Sequence, residues 1–390
     1  MFSVGLDVSL EKHDCCILDA NRKLINSFTV LNNESGFSAL DDALAELACS
    51  DDIRIGLEAT GIYGDNLVAF LRRKGYDVCT INPLLTNKHQ GATTLRKTKT
   101  DRSDAKNIAL IIAASDFQPD LSVAYHISEL KSLSRARFLS VKDRSALKNK
   151  VKRLVTMLFP ELLKEFTDLF GASGMAVLRR YPSAKQLANC RIDTLEELLY
   201  KASRGIFSRD KAEHLRQLAK HSVGTHSQAA VIELKMYLDR IELLNAQIKE
   251  FEAEIKHLMD EIDSPILTIK GIGYVLGAMI ISEIGDISRF SSPDKLLAFA
   301  GAEPSIYQSG KFTPTSGKMV KRGSPYLRWA LFQAAGYVAE YSQTFALYRA
   351  KKLSEGKSST VVRSHLVKKL TRVIFAILSN NSCFVDQISA

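Results

Sequence analysis

Along the first third of the chain the apolar positions change period repeatedly. Phe2–Asp7, Asp14–Leu18 and Leu24–Val30 are short apolar or alternating runs, with Asn21 and its polar neighbours between the last two. Such runs predict strands. Spacings of three and four over Gly36–Ala48 predict a helix, and Ile53–Leu57, ending at Glu58, predicts a fourth strand. A second helix is expected over Ile62–Lys74. A further strand over Tyr76–Ile81 is stopped by Asn82-Pro83. After a polar, basic loop, a third helix is expected from about Asp101 through Ile112.

The order β-β-β-α-β-α-β-α calls for a mixed sheet covered by helices. It is the element order of an RNase H-like fold, expected here over residues 1–125, in which strands one and four are neighbours. From Ile127 to Pro160 the pattern is helical and basic. Lys131, Arg135, Arg137, Lys142, Arg144, Lys148, Lys150, Lys152 and Arg153 face only Glu129 and Asp143 as acids. Residues 161–226 read as short helices and turns without recognisable chemistry. Leu234, Tyr237, Ile241, Leu244, Ile248, Phe251, Ile255, Leu258 and Ile262 then repeat at three and four, the seam of a coiled coil within the chain or between chains. The same period describes a long helix packed on its own protein.

Asp263-Ser264-Pro265 breaks that helix, so 126–262 is expected as a basic helical and coiled-coil region and 263–390 as a mainly helical last domain. There, Ile269–Gly273 resembles the turn of a helix-hairpin-helix. Gly301–Gly323 is irregular, and Leu327–Ala339 and Val361–Leu378 return to amphipathic helix. The fold class expected for the whole is α/β followed by α.

Composition narrows the partners. Among 390 residues, 53 Lys+Arg against 43 Asp+Glu leave a formal charge of +10, which favours a polyanion. A 46% hydrophobic share is ordinary for a globular chain. No apolar run approaches the ~18–20 residues needed to cross a bilayer, and Met1–Asp7 does not read as a signal peptide. The six cysteines show no CxxC pair and no histidine at ligand spacing, which argues for reduced thiols and against disulfides or structural zinc.

The candidate chemistry is carboxylate. Asp7 ends the first strand and Glu58 the fourth, while Asp101 and Asp104 lie three apart at a helix start and so share a face. In an RNase H-like sheet these acids converge at one edge. Gathered carboxylates repel unless a cation compensates them, and hard oxygen ligands suit Mg²⁺ or Mn²⁺. Taken alone, Asp101 and Asp104 read equally well as favourable acids at a helix N-terminus.

Val4-Gly5-Leu6-Asp7-Val8-Ser9, Leu57-Glu58-Ala59-Thr60-Gly61 and Lys99-Thr100-Asp101-Arg102-Ser103-Asp104-Ala105 resemble the motifs of DEDD-type transposases of the insertion-sequence-110 family, related to the pilin gene-inverting recombinase. The likeness covers roughly residues 1–160 and 263–380. It implies a RuvC-like catalytic domain at the N-terminus, with Asp7, Glu58, Asp101 and Asp104 as catalytic metal ligands.

The family's second catalytic element is a C-terminal serine. By the resemblance of Phe299–Gly310 and Lys321–Arg328, Ser309 is the nucleophile. Composition alone makes Ser309 a turn residue, and Ser305, Ser316 and Ser324 compete with it. Lys311, Lys318, Lys321, Arg322 and Arg328 stand between Ser305 and Ala330 without an acid, which suits a phosphate. The resemblance further implies target and donor double-stranded DNA, a structured bridge RNA, a dimer on each DNA and a tetramer in the synapse. It also implies a cytoplasmic, nucleoid-associated prokaryotic protein. Lys131, Arg135, Arg137, Lys142, Lys148, Lys152, Arg153, Lys321, Arg322 and Arg328 are the candidate nucleic-acid contacts. A structure-specific endonuclease and a non-catalytic DNA-binding scaffold are the competing readings.

Overall fold

The computed structural model describes residues 1–47, 49–58, 63–81, 86, 101–114, 125–303 and 319–386. The side chains of Asp51, Asp101, Arg102 and Tyr125 are outside that description. The chain divides into two compact units, Met1–Ser122 and Val123–Ala390.

In the first unit β1 (Phe2–Val8), β2 (Lys12–Leu18), β3 (Leu24–Leu31), β4 (Ile53–Glu58) and β5 (Asp77–Ile81) form one sheet in the order β3-β2-β1-β4-β5. β2 runs antiparallel to both its neighbours, whereas β1, β4 and β5 are parallel. The mixed sheet expected from the sequence is therefore present, and strands one and four are adjacent. Helix α1 (Glu34–Ala45) starts at Asn33, whose side chain accepts from the Gly36 N–H. It packs with α2 (Asp65–Arg73) on one face of the sheet. There Val4, Leu6 and Val8 meet Leu40, Leu44, Leu67 and Leu71 in a single core. Each such buried aliphatic side chain contributes roughly 1.5–3 kcal/mol.

The opposite face is covered by α3 (Asp101–Ala114). Cys16 and Leu18 of β2 meet Ala105 and Ala109, while Cys79 and Ile81 of β5 meet Ile108, Ile111 and Ile112. Between them, Gly5 and Gly56 are paired in register on β1 and β4. A Cβ on Gly5 would stand 2.1 Å from the Ala105 carbonyl oxygen, and one on Gly56 would stand 2.6 Å from Ile112 Cδ1. The glycine pair is what lets α3 lie so close to the sheet.

The second unit is helical. Its frame is α4 (Tyr125–Leu158) paired with a later helix that runs from Gln228 to Ile262. Arg137 pairs with Glu252, Arg144 with Asn245, and Lys150 lies over Tyr237. Partner numbers fall as numbers on α4 rise, so the two helices are antiparallel. Of the repeat read as a coiled-coil seam, Leu234, Ile241, Ile248, Ile255 and Leu258 are buried, whereas Tyr237, Leu244, Phe251 and Ile262 are half-buried. Opposite charge joins the two helices at Arg137 and Glu252, while Asp239 and Glu242 of the partner pair with Arg179.

Each end of this hairpin holds its own core. At one end the stretch without recognisable chemistry supplies α5 (Ala172–Arg180), α6 (Ala184–Ala188), α7 (Ile192–Ala202) and α8 (Arg209–Lys220). These pack with Leu147, Val151 and Val155 of α4 and with Val231, Leu234 and Leu238 of the partner, α9 (Gln228–Ile262). At the other end Leu130, Ile255 and Met259 join α10 (Tyr274–Ile284), α11 (Pro293–Phe299), α12 (Pro325–Tyr341), α13 (Gln343–Ser354) and α14 (Ser359–Asn380). The 263–390 stretch thus shares its core with both hairpin helices. The Ile269–Gly273 turn follows a 3₁₀ turn, Pro265–Thr268, rather than an α-helix. Gly271 has φ +97°, and its bare Cα faces the backbone of Tyr337 and Val338. Its first role is therefore packing. No helix among the described residues is long and apolar enough to cross a membrane.

Candidate active site

Register sets the acidic edge. The β1–β4 pairing ends at Leu6 opposite Leu57, and Asp7 and Glu58 are the next residue on each strand. Side chains alternate along a strand, so Asp7 shares the face of Gly5, and Glu58 that of Gly56. Both therefore lie on the side covered by α3. The same triplet, Gly-Leu-acid, produces both placements: the glycine clears the helix and the acid falls two residues beyond it. Asp104 immediately precedes Ala105, whose carbonyl is the atom that Gly5 clears. Asp7, Glu58 and Asp104 are all half-buried. Asp101 begins α3. All four expected ligands thus belong to elements that meet on one face of one sheet.

One acid escaped the sequence reading. Asp14 lies directly opposite Asp7 on β2, is 6% exposed, and accepts a hydrogen bond from Thr29 Oγ1 at 3.0 Å. Its signal was a polar residue at an inward register of an apolar strand. The other reactive side chains of β2 are silenced by burial, which pushes the Cys15 and Cys16 thiols up and His13 down. By alternation His13 and Cys15 lie on the opposite face of the sheet, with the His13 ring stacked on Phe37. An all-oxygen donor set fits a hard divalent cation. Among the described residues, no group of three or more His, Cys, Asp or Glu side chains forms a ready metal cage.

The candidate nucleic-acid contacts fall into two classes. Arg135 forms an ion pair with Glu283 at 2.6 Å and Arg137 one with Glu252 at 2.6 Å. Lys148 lies 4.8 Å from the Phe170 ring centroid, and Arg328 donates to the carbonyls of Ala300 and Lys321. These side chains bind parts of their own fold. Lys131 is half-buried, whereas Lys142, Lys152, Arg153, Lys321 and Arg322 are exposed. On α4, Lys142, Asn149, Lys152, Arg153 and Thr156 fall on the helix side away from buried Leu147, Val151 and Val155.

Ser309 lies outside the described residues, as do Ser305, Ser316, Lys311 and Lys318. The two ends of their segment are described. Val320 N–H donates to Glu303 O at 3.0 Å, Lys321 N–H to Gly301 O at 3.1 Å, and Ser324 N–H to Phe299 O at 2.9 Å. Ser324, a competitor for the nucleophile, is otherwise engaged. It accepts from the Leu327 N–H as the cap of α12 and donates to Glu283 at 2.7 Å. Glu283 was not singled out from the sequence, although a lone acid in the apolar run Tyr274–Ile284 is a readable signal.

Comparison with known proteins gives consistent results. A model of DEDD transposases of the IS110 group, described as "Transposase", matches residues 4–160, and the model "Transposase IS116/IS110/IS902 family" matches residues 263–349. The two matches together span more than half of the chain. The chain is 25% identical over 386 residues to the insertion element IS116 uncharacterized 44.8 kDa protein of Streptomyces clavuligerus, covering 98% of this chain and 95% of that one. It is 23% identical over 395 residues to the pilin gene-inverting protein of Moraxella bovis, covering 99% and 98%. Among solved structures, T. thermophilus RuvC in complex with a Holliday junction substrate aligns over 31% of this chain and 99% of its own. The TM-score is 0.23 at 10% identity, too remote to carry weight.

Proposed function

We propose, because the chain belongs to the IS110 family of DEDD transposases, that it recombines DNA by breaking and rejoining strands through a serine ester. The coarse activity is that of a transposase, an enzyme acting on DNA. In the finer reading, Ser309 Oγ attacks a backbone phosphorus and loses its proton. The Oγ–P bond forms as the bond from phosphorus to the 3′ oxygen breaks, and that oxygen leaves as a 3′-hydroxyl. The 3′-hydroxyl of a second strand then attacks the phosphoserine and regenerates the free side chain. Because the ester conserves the bond, no hydrolysis intervenes and exchange passes through a Holliday-junction-like intermediate.

Asp7, Glu58, Asp101 and Asp104 are the residues assigned to the acidic site. A divalent cation such as Mg²⁺ or Mn²⁺ held by them would stabilise charge on the phosphate and the departing oxygen. Lys142, Lys152 and Arg153 on the outer side of α4, with Lys321 and Arg322, are assigned to nucleic-acid phosphates. A structured guide RNA and a dimer or tetramer complete the reading. The observation that carries it is the register: two acids from distant sequence follow paired glycine-leucine steps on adjacent parallel strands and face the helix that starts with the other two.

The test is a denaturing gel for a covalent protein–DNA adduct, using the DNA ends and adjoining non-coding RNA of the chain's own locus. Ser309→Ala is expected to lose the adduct at any Mg²⁺ concentration. Asp104→Ala is expected to lose cleavage while keeping DNA affinity. Cleavage retained in Ser309→Ala would establish hydrolysis and overturn the serine mechanism.

A further inference from the structure

Glu283 is the only charged residue of helix α10, and its side chain is 1% exposed. A carboxylate out of water is costly unless donors match its oxygens. Arg135 reaches it with Nε at 2.6 Å and Nη2 at 3.0 Å, and Ser324 with Oγ at 2.7 Å. The guanidinium also lies 4.7 Å from the centroid of the Tyr326 ring, and Phe138 packs edge-on to Tyr326 and Trp329. One buried acid therefore holds the basic helix α4 and the first turn of α12 at once.

What makes this more than a stabilising pair is its position. Ser324 lies at the end of the stretch in which Val320, Lys321 and Ser324 donate to the carbonyls of Glu303, Gly301 and Phe299. Gly323 has φ +133°, and a Cβ there would stand 2.1 Å from the Phe299 carbonyl oxygen. Gly301 has φ +62°, with its space limited by the Arg322 carbonyl. Arg328 ties Ala300 and Lys321 from below. Well-packed apolar side chains would stabilise such a place at least as well as an ion pair. A forked guanidinium and a capping hydroxyl add direction instead.

We infer that Glu283, with Arg135 and Ser324, is a positioning device that fixes the base of the segment bearing Ser309. The inference rests on the serine reading above. Arg135 thereby acts as a positioning residue through Glu283 rather than as a nucleic-acid contact. The role predicts a defect in the rate of the chemical step, not in binding, because a displacement of about 1 Å at a reacting group costs on the order of 100-fold.

Three variants of the full-length protein test it: Ser324→Ala, Glu283→Gln, and the double variant Arg135→Gln/Glu283→Gln, which leaves no unmatched buried charge if the single change fails to fold. Each is measured for thermal midpoint, for DNA affinity, and for the single-turnover rate of adduct formation at saturating DNA. The expected result, in variants that melt cooperatively, is unchanged affinity with the adduct rate lowered roughly 100-fold. A rate within about threefold of the parent in the folded double variant overturns the inference. So does a loss confined to DNA affinity, which would make Arg135 a contact. Loss of adduct in Ser309→Ala beside parental rates in these variants leaves the serine reading standing and removes the clamp. An adduct persisting in Ser309→Ala removes both.

Discussion

The acids of the sheet edge and the acids of the α4–α9 hairpin meet opposite fates in one chain. On the sheet, register sets Asp7 beside Glu58 and directly opposite Asp14, bringing like charges toward one another. In the second unit, helix pairing sets Glu252 against Arg137 and, through α10, Glu283 against Arg135. The first arrangement suits a cation, whose charge lets carboxylates share one edge. The second is useful to the fold. Charges of the same type, equally visible in the sequence, therefore differ in meaning according to what the fold sets opposite them: another acid for Asp7, a guanidinium for Glu252 and Glu283.

Asp7→Asn separates the two cases with the largest effect. Removing one of two acids set directly opposite each other is expected to change the stability of the metal-free protein by no more than about 1 kcal/mol. The same change is expected to lower DNA cleavage by about 10³-fold or more, the scale of several kcal/mol of lost transition-state stabilisation. Urea unfolding and a cleavage assay on the same preparation check both. A variant that is markedly less stable yet active would erase the distinction.

Gly5→Ala comes next. Its Cβ would meet a helix carbonyl at 2.1 Å, whereas Gly56→Ala would meet the end of a flexible isoleucine at 2.6 Å. The first is expected to cost about 3 kcal/mol and the second about 1 kcal/mol, by overpacking. Denaturant midpoints compare them. Equal costs would mean that α3 is not seated by the glycine pair.

The hairpin pair is weaker. Arg137 is 18% exposed and Glu252 39% exposed, so their coupling is expected at about 0.5–1 kcal/mol in a double-mutant cycle of Arg137→Ala and Glu252→Ala. Adduct formation should persist in both single variants. A cycle near zero, with loss of DNA affinity in Arg137→Ala alone, would return Arg137 to the nucleic-acid surface.

The legibility of these features follows the range of the forces behind them. Strand periods and the Asp263-Ser264-Pro265 break are local, and the observed β1–β5 and α9 lie within a few residues of expectation. The strands that carry Asp7 and Glu58 were legible from their local period, and alternation along each then sets the face on which the acid lies. Arg135 and Arg137 were legible only as positive charge, since Glu283 and Glu252 stand 148 and 115 residues away in sequence. Asp14 and Glu283 were overlooked for the same reason: what makes a buried acid tolerable, Thr29 or Arg135, is a tertiary partner. Helix α13 left little trace because Phe345 is its buried residue, so no apolar stripe forms.

A third kind of carboxylate sharpens the contrast, one matched by neutral donors. Asp386 accepts from Ser342 Oγ at 2.9 Å, Gln343 N–H at 3.0 Å and Thr344 N–H at 3.1 Å, and so caps α13 from the far end of the chain. Ser342, at the cap position, makes no side-chain cap bond itself. The Thr344 hydrogen bond leads the causes that hold the Asp386 carboxyl down at about 2, below its ordinary 3.8. A folded-state value below the unfolded one means that the stabilisation is complete above pH 3.8 and fades as pH falls toward 2. Asp386→Ala is expected to cost about 1 kcal/mol at neutral pH, the usual worth of a cap. The gap in unfolding free energy between parent and variant should hold from pH 7 to pH 5 and narrow by pH 3. A gap that widens on acidification would show that the cap does not depend on charge, and Asp386 would then belong with the neutral turn residues.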